Sequence, residues 1–311
     1  MGEPELMRYR VTHITKFDAA ERVAIGMNHV YLTPRTTPFQ TCEHSRLITR
    51  PPATTSDRRT DYYGNIAYFL SFERGYDHLE IRATSRVEVH ARQMPALTDS
   101  LPWDQIVSEI GREPCPFDFQ VREMQAASPR VNDYDESVLK YAKRFFPEGR
   151  PVLVCLADLL KNFSEDFTFD PHATTVNTPT DEVLVNKRGV CQDFSHLMIA
   201  LCRAVELPAR YVSGYLRTHP PKGKPRLRGA DASHAWLSVF CGPLGWVDVD
   251  PTNNIFVSSD HITVAWGRDY SDVAPVKGVV IGSGSHALDV SVDVEPISDL
   301  GATREEAALL N

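Results

Sequence analysis

Residues 186–207 read NKRGVCQDFSHLMIALCRAVEL. Directly after Cys191, Phe194, Leu197, Met198, Leu201, Cys202 and Val205 recur at steps of three and four. That spacing lays them on one face of an amphipathic helix. Gly189 supplies a turn before the helix, and Pro208 stops it. Cys191 therefore falls at or beside the first helical turn. Unpaired backbone N–H groups and the positive end of the macrodipole converge there and favour a thiolate, the form a nucleophilic cysteine needs. An arbitrary cysteine is usually a small apolar packing residue. The chain downstream lifts Cys191 above that reading.

SHAWLSVF (233–240) and WVDVDPT (246–252) alternate in polarity around the turn CGPLG, which predicts a β-hairpin. His234, Trp236, Ser238 and Phe240 share one strand face, and Trp246, Asp248 and Asp250 share one on the partner. If Phe240 pairs with Trp246, His234 and Asp250 lie on the same side, nearly opposite each other. A carboxylate there orients the imidazole and stabilises its charged form, while Trp236 excludes water. A helix-terminal Cys, a strand His and a neighbouring Asp suit acyl transfer: thiolate attack on a carbonyl, protonation of the leaving amine by the imidazolium, and an acid that fixes the tautomer. The backbone N–H of Cys191 is placed to help hold the oxyanion. Asp248 shares the face and is the rival orienter. Asp193, in the first turn, complements the dipole. His196, five residues past Cys191, points away and reads as structural. A metal set of His234, Asp248 and Asp250 lacks a second histidine at ligand spacing, and no D-x-D-x-D-G loop is present, so neither metal nor cofactor is expected.

The chain has 311 residues, 42% hydrophobic and 24% charged, an ordinary globular composition with length for a large core. A net charge of −8 leaves no basic footprint for nucleic acid or anionic lipid. No apolar run is long enough to span a bilayer, and the charged start MGEPELMRYR lacks a signal-peptide core, so a cytoplasmic protein is expected. Six cysteines without a C-x-x-C pair fit free thiols, with Cys155 and Cys202 on apolar helical faces.

From Met7 to Arg92 the segments RYRVTHITKF, NHVYLTPR, HSRLITR, NIAYFLSF and LEIRATSRVEVHAR read as strands, with His13 and His29 as exposed or satisfied strand residues. Four regions are expected: an all-β, sandwich-like domain over 1–95, a linker with a helical turn over 96–130, an α+β core over 131–300 and a tail over 301–311. Helices are predicted at Trp103–Gly111, Glu136–Phe146 and Pro151–Phe163, with a short one starting near Thr180. RYVSGYLR reads as a buried strand. Residues 219–231 read as a surface loop whose Lys222, Lys224, Arg226 and Arg228 are free to meet an acidic substrate. Gly267–Tyr270 follows the strand ITVAW. HALDVSVDVEP alternates, with Leu288, Val290, Val292 and Val294 expected inward to close the sheet.

GVCQDFSHLMIALCRAVELPARYVSGY, SHAWLSVF and GWVDVDPTNN resemble the cysteine, histidine and aspartate motifs of the bacterial transglutaminase-like superfamily. THITKF, LTPR and DYYGN resemble the β-rich domain that precedes the core in one bacterial branch, and HITVAWGRDYSDVAPVKGVVIG resembles that branch's C-terminal segment. The resemblance implies a papain-like core, with helices packed on an antiparallel sheet. It makes Cys191 the nucleophile, His234 the base and Asp250 the orienter, the choice over Asp248 resting on the DPT element. Gln192, Asp193, Trp236, Asp248, Arg268 and Tyr270 are the candidates to line or support the cleft. The implied substrate is a protein or peptide amide, cleaved by water as in a peptidase or passed to an amine as in a transglutaminase, with hydrolysis favoured. A non-catalytic binder on the same fold is the other reading. The N-terminal domain is free to gate the cleft, recruit a partner or form a homodimer.

Overall fold

The computed structural model describes residues 6–132, 135–219, 231–282 and 284–297. Lys222, Lys224, Arg226, Arg228 and the tail 301–311 lie outside the described residues. The alternating N-terminal segments form β1 (Leu6–Val23), β2 (Ile25–Val30), β3 (Gln40–Arg50), β4 (Thr55–Thr60), β5 (Ile66–Phe72) and β6 (Tyr76–His90). The helical region follows as α1 (Trp103–Ile110), α2 (Phe119–Glu123), α3 (Glu136–Lys143), α4 (Val152–Asp166), β7 (Thr168–Phe169), α5 (Thr180–Asn186), β8 (Arg188–Gly189) and α6 (Cys191–Ala204). Then come β9 (Ala209–Leu216), β10 (Ala232–Phe240), β11 (Trp246–Asp250), β12 (Ile255–Phe256), β13 (His261–Gly267), α7 (Tyr270–Val273), β14 (Val276–Ile281) and β15 (His286–Pro296).

Two four-stranded antiparallel sheets, ordered β15-β1-β6-β3 and β14-β2-β5-β4, make the sandwich. Val30, Leu70 and Phe72 of one sheet and Leu79, Ile81 and Ala83 of the other bury a shared apolar cluster. The core is a five-stranded antiparallel sheet, β12-β11-β10-β9-β13. Helix α6 lies against β9 and β10. Its residues 193–203 are all buried, so the helix is covered on every side. Leu153, Leu156, Leu160 and Phe163 of α4 join the same core. Trp103 packs edge-on against Phe146, and its Nε1 donates to the Pro147 carbonyl at 2.8 Å.

Two strands from the far end of the chain complete the sandwich. β14 pairs with β2, and β15 pairs with β1 from Tyr9↔Pro296 to Ala19↔His286. HALDVSVDVEP therefore does not close the core sheet. Val292 and Val294 are buried, but Leu288 is 61% and Val290 45% exposed, against the expectation that all four point inward. The four do share a face. Only its second half is covered by the core, where Asp231 bridges to Val292 and its carboxylate accepts the Val294 N–H at 2.7 Å.

Candidate active site

Local structure explains where Cys191 sits. Lys187 ends α5 in a left-handed conformation (φ 57°), β8 pairs in parallel with β7, and Val190 is extended. The Phe194 N–H then bonds the Val190 carbonyl at 3.0 Å, so Cys191 is the first helical residue. One carboxylate oxygen of Asp193 accepts the Val190 N–H at 2.8 Å and the Thr174 hydroxyl at 2.6 Å. A Cβ on Gly189 would stand 2.9 Å from that oxygen, so this approach requires glycine. Asp193 thus ties down the helix end that presents the sulfur. Asp193→Ala is expected to cost about 1 kcal/mol, the worth of a helix cap. Thermal unfolding checks this, with a fall of roughly 2–4 °C for a chain of this size.

The hairpin pairs Phe240 with Trp246, Ser238 with Asp248 and Leu237 with Val249. This register carries His234 to the same side as Asp250. His234 Nε2 lies 2.7 Å from Asp250 Oδ2, and the pair is buried. With Nε2 occupied by Asp250, the other ring nitrogen is Nδ1, and the Cys191 side chain acts on the ring as a second partner that favours its charged form. Burial works against a charged ring here. The bond to Asp250, the Cys191 side chain and the attraction to both outweigh it and raise His234 from 6.5 to about 10. Burial would likewise neutralise Asp250, but hydrogen bonds from His234 and His261 hold its carboxyl well below the usual range.

His261, at the start of β13, is a residue that the sequence reading did not single out. Its Nε2 lies 3.0 Å from the same Asp250 oxygen. Asn253 Nδ2 donates to that oxygen at 2.7 Å, and the Thr252 and Asn253 backbone N–H groups donate to Oδ1. Asp250 is thus bound on both oxygens. His261 was hidden because β13 reaches the site through β9, two strands away from β11. His234, Asp250 and His261 are the described group whose donor atoms, all within 4.8 Å of one another, suit a metal. Both rings, however, spend Nε2 on one oxygen at hydrogen-bond distance. Zinc would need each ligand atom within about 2.0–2.2 Å of a shared ion.

The other candidates separate. Asp248 accepts from Ser238 and, at 3.0 Å, from Arg92, which holds it away from His234. Arg268 pairs bidentately with Asp272, at 3.0 Å for each contact, rather than entering the cleft. Trp236 is fully buried beside His234 and edge-on to His261. His196 accepts the Tyr270 N–H on Nε2 at 3.1 Å, and burial lowers it to about 4 against the pull of Asp269. It is a neutral ring that positions Tyr270. Gly214 faces His234 in the β9–β10 register, and a Cβ on it would come within 2.3 Å of the Ile262 carbonyl and the Trp236 ring. A glycine inside a buried strand is the sequence sign of such a close approach. Gly214→Ala is expected to lose about 1–3 kcal/mol through overpacking. Urea denaturation measures the loss, and the Cys191 alkylation rate reports whether His234 moves with Trp236.

Cys191, Gln192, His234 and Tyr270 open onto a cleft of about 320 Å³, whose far wall comes from β1 and β15. Cys191 is half-buried, whereas Cys155 and Cys202 are buried, which pushes each of those thiols up to about 12. The transglutaminase-like superfamily model matches residues 150–251, and the bacterial transglutaminase-like N-terminal region matches 9–88. An uncharacterized protein of Mycobacterium tuberculosis is 38% identical over 295 residues, covering 93% of both chains. The chain belongs to the transglutaminase-like superfamily.

Another relative in Mycobacterium leprae, also uncharacterized, is 34% identical over 293 residues, covering 93% of this chain and 99% of its own. A protein-glutamine gamma-glutamyltransferase of Pseudomonas aeruginosa is 31% identical over 104 residues, which are 32% of this chain and 16% of that one. The fold of this transglutaminase-like chain is that of a solved candidate cysteine protease from Cytophaga hutchinsonii (TM-score 0.75, 18% identity, covering 96% and 93% of the two chains). No helix among the described residues is long and apolar enough to cross a membrane.

Proposed function

We propose that the protein is a cysteine amidohydrolase acting on protein or peptide amide bonds, with Cys191 as nucleophile, His234 as proton carrier and Asp250 as its orienter. The supporting observation is the buried His234–Asp250 pair, which shares one cleft with Cys191. The thiolate attacks the carbonyl carbon, and the oxyanion faces the free backbone N–H groups at the start of α6. The His234 imidazolium gives its proton to the leaving nitrogen, the C–N bond breaks and a thioester forms. His234 then takes a proton from water, the hydroxide attacks the thioester, and the acid leaves as the thiol is restored. The half-exposed sulfur and open cleft give water access, which supports hydrolysis. Free thiols at all six cysteines support a reducing compartment such as the cytoplasm.

The name of the Pseudomonas relative supports a second reading, in which a primary amine resolves the same thioester. Iodoacetamide labelling at neutral pH with peptide mapping tests the shared chemistry. Cys191 should react at least ~10-fold faster than a free model thiol. A rate no faster than that thiol, together with full activity of Cys191→Ala, would sink the proposal. Release of free acid against incorporation of a fluorescent primary amine separates the two outcomes.

A further inference from the structure

The cleft has walls from two layers of the molecule. Ser233 and Tyr270 of the core stand on one side, and His13 and Phe17 of β1 with Leu288 and Val290 of β15 stand on the other. None of the described residues lining it is Asp, Glu, Lys or Arg. Where the sequence predicts an exposed or satisfied strand residue, His13 is only half satisfied. It is buried, its Nε2 meets the Thr15 hydroxyl at 2.8 Å, and its Nδ1 has no partner. Burial lowers it to about 4, so the ring is neutral. Ser233 Oγ is a second buried polar atom without a partner. Unpaired buried groups are costly, and a ligand recovers that cost by supplying the missing bond.

We infer that β1 and β15 form an acyl-donor subsite selective for uncharged substrates. An aliphatic or aromatic side chain beside the scissile carbonyl lies against Phe17, Leu288 and Val290, and the peptide group next to it bonds His13 Nδ1 and Ser233 Oγ. This rests on the proposed thiol chemistry at Cys191. A charged side chain would shed its water and find no Asp, Glu, Lys or Arg among the described lining residues, where the only charge the proposed chemistry places is the Cys191–His234 pair that it uses itself, which is the stronger form of discrimination. A cleft of about 320 Å³ is at the small end of ligand sites and suits one side chain with its flanking peptide group. The sandwich is then part of the specificity apparatus and not an appendage.

Protection of Cys191 from iodoacetamide in the full chain tests this, using the N-methylamides of N-acetyl-leucine, N-acetyl-lysine and N-acetyl-glutamate. Half-protection by the leucine compound should need at least ~10-fold lower concentration than by the other two. Leu288→Asp, at an exposed position that spares folding, should erase that preference. Ser233→Ala and His13→Phe should each raise the leucine concentration needed about tenfold. Equal protection by all three compounds, no protection by any, or an unchanged preference in Leu288→Asp overturns the subsite. A Cys191 that alkylates only as fast as a free thiol would overturn the nucleophile instead, and protection would still report on the subsite.

Discussion

Replacing Cys191 by alanine is expected to lower amide turnover by at least ~10⁴-fold, the scale seen when a nucleophile is removed from a set of residues that acts as a unit. Stability should hardly change. Cys191 is half-buried at the edge of the core and is not among its fully buried side chains. A melting temperature within about 2 °C of the parent is expected, because the substitution removes one partly solvated sulfur. The measurement pairs thermal unfolding with intact mass after exposure to an activated ester. The parent gains one acyl group and the variant gains none. Acylation of the variant at the parental rate would move the chemistry to another residue.

Asp250→Asn should be nearly as damaging, lowering kcat by roughly 10³–10⁴-fold, as expected when the residue that fixes a catalytic tautomer loses its charge. The pH dependence gives the more specific test. His234 is raised from 6.5 to about 10, so the stability it gains from the pair is complete below 6.5 and lost as pH rises through about 10. Asp250 is depressed from 3.8, so its share is complete above 3.8 and lost as pH falls through the lowered value. Both contributions are therefore full between 3.8 and 6.5. In Asp250→Asn the share of the attraction that comes from Asp250 is gone, burial still lowers the ring and Cys191 alone is left to raise it, so His234 should titrate lower. Ring resonances followed by NMR should show His234 titrating at least ~2 units lower than in the parent. An unshifted titration would mean that Asp250 does not set the charge of the ring.

The parts of this arrangement that lie on single elements or across one turn were legible in the sequence. The three- and four-residue rhythm after Cys191 marked α6, and strand parity from the Phe240–Trp246 pair brought His234 and Asp250 to one face. Parity did not separate Asp248 from Asp250. The structure does so through Arg92, which comes from the end of the sandwich and holds Asp248. His261 was missed because the core sheet is not laid down in chain order, so no local pattern reveals that β13 lies within reach of Asp250. The alternation of HALDVSVDVEP was read correctly as a shared face, but alternation cannot say how far along a strand its cover extends. Leu288 and Val290 lie beyond the part that the core covers. His13 looked like an ordinary strand histidine because its significance depends on β1 standing across the cleft from Cys191.

The pairing of β1 with β15 also bears on how the protein matures. A nascent polypeptide that has cleared the ribosome as far as Gly267 already contains Cys191, His234, Asp250 and His261. It still lacks β15, which walls the cleft together with β1. Pairing β1 with β15 is a contact of very long sequence separation, the kind that forms slowly. Cys191 and its neighbours would thus be assembled before β15 arrives, and the cleft would gain its second wall only once β15 has paired with β1.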